Sequence, residues 1–268
     1  MSTLSTREIQ LSCLEVLRGF DALCKKHGLT YFLSGGTLLG AIRHRGFIPW
    51  DDDVDVMMPR KDYERLLKLP IEDQRWGLYS LETKKDYGRP WARMSNESIR
   101  RANTALFTGD TSGTYIDIFP IDGVPEGNSA AKLFYRRIRL LDMLSRTAMR
   151  NSIGEKERMQ GLKKCAAALL RPIGPRPFSR AMNHIAAQQP YDGKCRGVAM
   201  ITHYGAREKM PAGVFDHAVD VDFEGLRLPA PCGYDVYLTR LYGDYMQLPP
   251  EHRRVTHSST YQRTEDEA

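Results

Sequence analysis

Hydrophobic and polar positions follow two different periods along this chain, and each change of period marks an element. Ile9, Cys13, Val16, Phe20, Leu23 and Cys24 recur at three- and four-residue spacing, which predicts an amphipathic helix over 6–27. Ser5 and Glu8 have the spacing of a capping box, and Gly28 is a natural stop. Residues 30–34 (TYFLS) predict a short buried strand, broken by Gly35-Gly36, and 37–44 (TLLGAIRH) predict a helix opening straight after the glycines. Gly46 and Pro49 turn the chain. The period then becomes two: 53–58 (DVDVMM) alternates acid and apolar, as a strand with one polar face does. Pro59 ends that strand, and a helix resumes over 60–69.

Further strands are expected at 76–83, 89–96 and 114–119, the last closed by Pro120, with a polar loop over 97–113. From 128 to 188 the pattern is helical. A hairpin at 219–228 and a helix near 234–242 follow, and the polar stretch 251–268 is expected to fray. This order predicts an α+β protein: a mixed sheet built mostly from residues 30–120, with flanking helices and a helical insertion. The expected boundaries are a sheet-bearing core over 1–125, a basic helical segment over 126–190 and C-terminal elements over 191–268 that complete the functional site and end in a frayed tail.

Composition changes the picture in two places. Five cysteines (Cys13, Cys24, Cys165, Cys195 and Cys232) are scattered without a CxxC pair, which argues against a disulfide framework or zinc knuckle. Residues 1–12 lack the basic-then-apolar layout of a signal peptide, and no apolar run of membrane-spanning length occurs, so a cytoplasmic protein is expected. Charge is uneven. Residues 132–180 hold 13 Lys and Arg against Asp142, Glu155 and Glu157, whereas the whole chain carries only +6, so the remainder is net acidic. A block of this kind suits an anionic partner or an ordinary solvated helical face. On one helix over 132–150, Lys132, Arg136, Arg139, Arg146 and Arg150 would line one side, and Phe134, Ile138, Leu141, Leu144 and Ala148 another. Peripheral contact with an anionic membrane is one expectation from that stripe.

The chemistry-bearing residues come in a fixed order. A strand ends in Gly35-Gly36 and a helix begins, so backbone N–H groups at Gly35, Gly36 and Thr37 could meet an anion. A glycine pair by itself is most often a plain turn. Next come Asp51, Asp52, Asp53 and Asp55. Asp53 and Asp55 share a face if both lie in the strand, and Asp51 joins them if the strand extends back. Like charges packed together call for a cation, and hard oxygen ligands suit Mg²⁺ or Mn²⁺. Third, Asp117 stands between Ile116 and Ile118 in a buried-type strand and needs a partner. Together the three features specify much more than any one does.

That order resembles the nucleotidyltransferase superfamily. Residues 31–58 (YFLSGGTLLGAIRHRGFIPWDDDVDVMM) narrow the resemblance to the LicD family, to which the fukutin-type proteins are related; 115–123 (YIDIFPIDG) and 238–250 (LTRLYGDYMQLPP) resemble it too. The resemblance implies a nucleotidyltransferase fold in the core, and transfer of phosphocholine, or another phospho-alcohol, from CDP-choline or a related CDP-alcohol donor to a glycan acceptor at the cell surface. Carried over by position, Asp53 and Asp55 would ligate the metal with Asp51 assisting. Asp117 would be third ligand or general base, and Gly35, Gly36 and Thr37 would hold donor phosphate. Arg43, His44 and Arg45 follow closely enough that one could meet a phosphate. A choline headgroup would call for aromatic faces, for which Trp50, Tyr87, Trp91, Tyr115, Tyr204 and Tyr242 are available. His203 and His257 read as structural.

Two other functions fit parts of the chain. A nucleotidyltransferase adding a nucleotide to a small-molecule hydroxyl would use the same acids. A non-enzymatic module binding an anionic polymer would use the basic segment, but it leaves the acids unexplained, and no RNA-binding motif with aromatic platforms is present, so no nucleic-acid partner is expected.

Overall fold

The structure, a computed structural model, describes residues 3–101, 113–149, 160–189, 191, 205–211, 213–254, 256 and 261–263. Arg150, Cys195, His203, Tyr204 and His257 lie outside the described residues. Helix α1 spans Thr6–His27 with both halves of the Ser5–Glu8 capping box formed and Gly28 in the left-handed conformation at its end (φ 59°). There follow β1 (Phe32–Leu33), α2 (Gly35–His44), β2 (Asp55–Pro59), α3 (Arg60–Leu66), β3 (Trp76–Tyr79), β4 (Ala92–Asn96), β5 (Ile99–Arg101) and β6 (Tyr115–Ile121). Three helices come next, α4 (Asn128–Met149), α5 (Gln160–Leu170) and α6 (Arg176–Ala187). The hairpin β7 (Ala218–Phe223) and β8 (Leu226–Pro231), helix α7 (Tyr234–Tyr242) and β9 (Tyr261–Arg263) complete the order. The α+β class read from the sequence is the class observed.

Five strands form one mixed sheet in the order β1-β2-β6-β4-β3. Among the described residues only β2 and β6 of this sheet run parallel; its other pairs are antiparallel. Alternation splits each central strand between two faces. Val56, Met58, Ile116 and Ile118 are fully buried on one face, and Asp55, Asp117 and Arg93 stand on the other. Helix α1 lies across β4 and β6. Its Ser12 hydroxyl bonds to Thr114 Oγ1 (2.6 Å) and accepts from Asn96 Nδ2 (3.3 Å).

Phe223, Leu228, Ala230, Tyr237, Leu238 and Leu241 join the same apolar core as α1 and the large sheet. The helical segment has a small core of its own, Phe134 and Ile138 of α4 against Met182 of α6. It is fastened to the sheet domain by polar contacts. Ser179 Oγ donates to Gly88 O (2.5 Å) and bonds Ser145 Oγ (3.0 Å), while Arg176 donates to the carbonyls of Leu81 and Lys84. Arg60 pairs with buried Asp122 and reaches Asn183 of α6 (3.4 Å).

The structure departs from the periodicity at four places. Helix α2 begins at Gly35 itself with Ser34 as the cap, so the glycine pair opens the helix and does not precede it. Strand β2 begins at Asp55, and Asp51, Asp52 and Asp53 lie in an irregular segment before it, because Ile48 and Asp51 close a turn ahead of the strand (Asp51 N to Ile48 O, 2.9 Å). Strand β6 runs through Pro120 to Ile121; proline's missing N–H ends the periodicity seen in sequence without ending the extended backbone. The loop expected over 97–113 contains β5, which pairs with β9 in the tail expected to fray. One aromatic among polar residues carries no periodic signal, yet Tyr261 is buried and its carbonyl accepts from Leu4 N (2.9 Å). Tyr261→Ala is expected to lower stability by about 3 kcal/mol, as large-to-small changes at buried sites do. A urea denaturation midpoint equal to wild type would show that β9 contributes nothing to the fold.

Candidate active site

Register places the acids. In the parallel pair Asp55 of β2 is the direct partner of Asp117 of β6, and in the next pair Asp117 is the partner of Arg93 of β4. One row across the sheet therefore reads carboxylate, carboxylate, guanidinium, with neighbouring backbones about 4.8 Å apart. Arg93 Nε lies 2.5 Å from Asp117 Oδ1, and the same oxygen accepts from Trp91 Nε1 at 2.8 Å. Arg93 is buried, and its guanidinium carbon sits 3.6 Å from the centre of the Tyr115 ring. Trp91 packs on Phe119, with ring centres 5.1 Å apart.

Asp55 is fixed from both directions along its backbone. Its N–H donates to Thr37 Oγ1 (2.9 Å), and its carbonyl accepts from Ser34 N (3.0 Å). Burial first, then the charges of Asp53, Asp117 and Asp51, push its carboxyl well above the usual carboxylate range, and Arg93 offsets part of that effect. The four acids thus share one electrostatic site although only two of them lie in strands. The irregular segment is held by α1: the buried Gln10 side chain donates to Asp51 O (2.8 Å) and Ile48 O (3.4 Å), and the Cys13 thiol contacts Asp52 O (3.8 Å).

The glycine pair serves this cluster sterically. A Cβ on Gly36 would fall 2.5 Å from Asp51 Oδ2, and one on Gly35 would fall 2.8 Å from Asp55 Oδ2. Gly35 also has φ 50°, a conformation that costs a side-chain-bearing residue energy. Only glycine lets two carboxylates rest against the first turn of α2, where backbone N–H groups and the helix dipole favour negative charge. Tyr237 closes the arrangement from α7: its hydroxyl lies 3.1 Å from Ser34 Oγ and accepts from Gly35 N (3.5 Å).

Of the residues singled out in the sequence, Gly35, Gly36, Thr37, Asp51, Asp53, Asp55 and Asp117 come together. Arg43 does not join them. It sits eight residues along α2, about 12 Å of helical rise from Gly35, and donates to Tyr245 O (2.8 Å) and to His44 Nε2 (3.0 Å). Trp50 precedes Asp51 in the chain, but its ring is met edge-on by His44 and covered by Arg254 at 5.3 Å. Arg43 and Trp50 thus belong to a basic-aromatic cluster at the far end of α2, where burial and then Arg254 lower the Arg43 pKa. Sequence reasoning missed Arg93, Tyr237 and Gln10. Arg93 was open to the argument used for Asp117, since it is a lone charge between apolar Ala92 and Met94.

The donor set for a cation is all carboxylate oxygen, which suits a hard divalent ion. Among the described residues no three His, Cys, Asp or Glu side chains are already closed into a cation cage; the acids are gathered, and Asp117 is engaged by Arg93 and Trp91. A cavity of about 510 Å³ opens between α1 and β3, lined by residues that include Arg18, Trp76 and Met94, and it shares no residue with this cluster.

Comparison with known proteins gives a consistent result. The LicD/FKTN/FKRP nucleotidyltransferase-domain family matches residues 28–139, a span that includes Gly35, Asp51 to Asp55, Arg93 and Asp117. Over 267 residues, 96% of this chain and 97% of the relative, the sequence is 35% identical to the lipopolysaccharide cholinephosphotransferase LicD of Haemophilus influenzae. A shorter match, 31% identical over 42% of this chain and 10% of the relative, is to mannosyltransferase regulator 4 of Saccharomyces cerevisiae. An uncharacterised protein of Rickettsia prowazekii is 32% identical over 29% of each chain.

Two outcomes follow from the geometry. A raised folded-state pKa means that Asp55 weakens the fold at neutral pH: its cost is absent below the ordinary carboxylate range, grows as pH rises from there, and is complete above the raised value. In chelator, Asp55→Asn should therefore melt higher than wild type at pH ~7, with the difference vanishing near pH ~4. A lower melting temperature for the variant at neutral pH would refute that electrostatic account. Gly35→Ala should lose about 1–3 kcal/mol from its positive φ and the contact with Asp55, read as a fall in the urea midpoint; an unchanged midpoint would show that the first turn tolerates a side chain.

Proposed function

The chain belongs to the LicD family, and from that premise we propose that it is a phosphotransferase moving phosphocholine from CDP-choline to a hydroxyl of a cell-surface glycan or its lipid-linked precursor. The observation that carries this reading is the end-to-end relationship to a cholinephosphotransferase. The in-row acids supply a chemical means for it.

In this reading Asp53, Asp55 and Asp117, with Asp51 assisting, would hold Mg²⁺ or Mn²⁺. The ion would supply charge neutralisation and Lewis-acid polarisation at the phosphorus. The reaction forms a bond from the acceptor oxygen to the phosphorus that bears choline, and it breaks that phosphorus's bond to CMP, which leaves with its own phosphate. Such a transfer needs in-line positioning and electrostatic support more than covalent help from the protein. The first turn of α2, at Gly36 and Thr37, offers N–H groups and a dipole to the donor's diphosphate, while the Gly35 N–H is given to Tyr237. Thr37 Oγ1 accepts from Asp55 N, which leaves its hydroxyl proton to donate.

The acceptor hydroxyl must give up a proton. Asp117 is committed to Arg93 and Trp91, and one oxygen of half-buried Asp55 rests against the first turn of α2. Asp51 and Asp53, half-buried like Asp55 but carried by the irregular segment instead of a strand, are the carboxylates we assign to accept it. Arg93 then acts by holding Asp117 in place.

The test is product analysis. The protein is incubated with CDP-choline, Mg²⁺ and a glycan or glycolipid acceptor. CMP should be released and the acceptor should gain one phosphocholine by mass. Asp55→Asn and Asp117→Asn should lower the rate by about 10³-fold or more, because a lost ligand removes several kcal/mol of transition-state stabilisation. Nucleotide appearing on the acceptor, or ATP binding more tightly than CDP-choline in calorimetry, would replace this reading with nucleotidyl transfer.

A further inference from the structure

Helix α4 has two faces, and only one is accounted for by packing. Ala131, Phe134, Ile138, Ser145, Ala148 and Met149 are buried inward. The outward face is not the purely cationic stripe expected from sequence. Leu133, Leu140 and Met143 stand on it 48%, 53% and 55% exposed. Their spacings of seven and three place them on one side of the helix. Lys132, Arg136, Arg137, Arg139 and Arg146 are exposed around them. The single acid of the helix, Asp142, is paired with Arg146 (2.8 Å). The end of α5 and the turn after it repeat the combination: Leu169 and Ile173 are 75% and 53% exposed, with Arg171 exposed between them.

Five of the nine large apolar side chains exposed among the described residues therefore fall between residues 133 and 173, inside the most basic stretch of the chain. Isolated exposed leucines are ordinary on protein surfaces; a row of them framed by cations is a different feature. We propose that this face of the helical layer docks on an anionic lipid bilayer. Leu133, Leu140 and Met143 enter between the headgroups, and the lysine and arginines lie on lipid phosphates.

Two observations favour lipid over a soluble polyanion. A glycan or nucleic acid would use the cations but has no complement for Leu140 and Met143, and the outward face carries no aromatic on which a base or sugar could stack, since Tyr135 is half-buried against the interior cluster. Helix α4 is also already folded and held by α6 through its other face, so docking needs no helix formation. At 22 residues it presents about 33 Å of surface lying flat on a membrane, and no described helix is long and apolar enough to cross one. None of these residues touches the acid cluster, so the proposal stands apart from the transfer reading.

The experiment is co-sedimentation of the full chain with phosphatidylcholine vesicles, with and without phosphatidylglycerol. Wild type should pellet with the anionic vesicles, and part of that binding should persist at high salt because the apolar contribution is not screened. The variant Leu133→Gln/Leu140→Gln/Met143→Gln changes exposed positions only and should fold normally by circular dichroism. It should lose at least about tenfold in partition coefficient. Arg136→Gln/Arg137→Gln/Arg139→Gln should lose binding most strongly at low salt. CMP release from a soluble donor and acceptor should be the same in all three proteins, which separates failure here from failure of the transfer reading. Equal retention on neutral and anionic vesicles, no retention on either, or undiminished vesicle binding by the triple glutamine variant at 133, 140 and 143 would overturn the proposal. The last of these outcomes would mark a purely electrostatic surface for a soluble polyanion.

Discussion

Asp55 and Asp117 are direct partners on the two parallel strands at the centre of the sheet, and the rest of the molecule is arranged around that repulsion. Two carboxylates one strand spacing apart in a partly dry site do not stay charged without compensation. Compensation comes from three directions. Arg93 extends the same row by one strand, the first turn of α2 offers its dipole and N–H groups, and the carboxylate cluster itself is suited to an added cation. Nearby features follow from this need: the glycines let the carboxylates reach the helix, Thr37 ties the helix to the strand, and Gln10 of α1 holds the irregular segment that brings Asp51 and Asp53 into the group.

Such a site is costly to the fold, and the surrounding packing shows how the cost is contained. The opposite face of the same strands is entirely apolar, with Val56, Met58, Ile116 and Ile118 fully buried, so the strands that carry the charges are also the best anchored in the core. Two polar groups at the site are engaged in specific bonds. The Tyr237 hydroxyl meets Ser34 and Gly35, and the Trp91 indole N–H meets Asp117. The helical layer adds little apolar contact to the sheet domain and is attached through arginine and serine bonds to backbone carbonyls, which leaves its outer face at liberty to serve another surface.

Much of this was legible in the amino-acid order. Helix α1, the closing hairpin and α7 show clean periods with caps or turns at their ends, and the order of glycine pair, acid cluster and flanked acid marks the site. What escaped were features that depend on pairing rather than period. No local pattern says that Asp55 would sit in register with Asp117, because register is set by distant packing. Asp53 was read onto the strand when a turn at Ile48 places it just before the strand's start, and it reaches the site by another route. Arg43 and Trp50 were grouped with the glycines by closeness in sequence, yet a helix carries residues apart at 1.5 Å each, and the two ended in a separate cluster with Arg254. Tyr261 lay in a segment too polar to read. The leucines on the outer side of α4 were hidden because a helical wheel cannot tell which of two apolar arcs the fold will bury.

The contact between Tyr237 and the Ser34–Gly35 turn spans about two hundred residues. A ribosome delivers Ser34 about two hundred residues before Tyr237, so the first turn of α2 emerges well ahead of its hydroxyl partner. That turn, beside the acidic cluster, gains its partner only once α7 has emerged. A chain that stalls before that point carries all four carboxylates of the cluster and lacks the hydroxyl that meets the turn beside them.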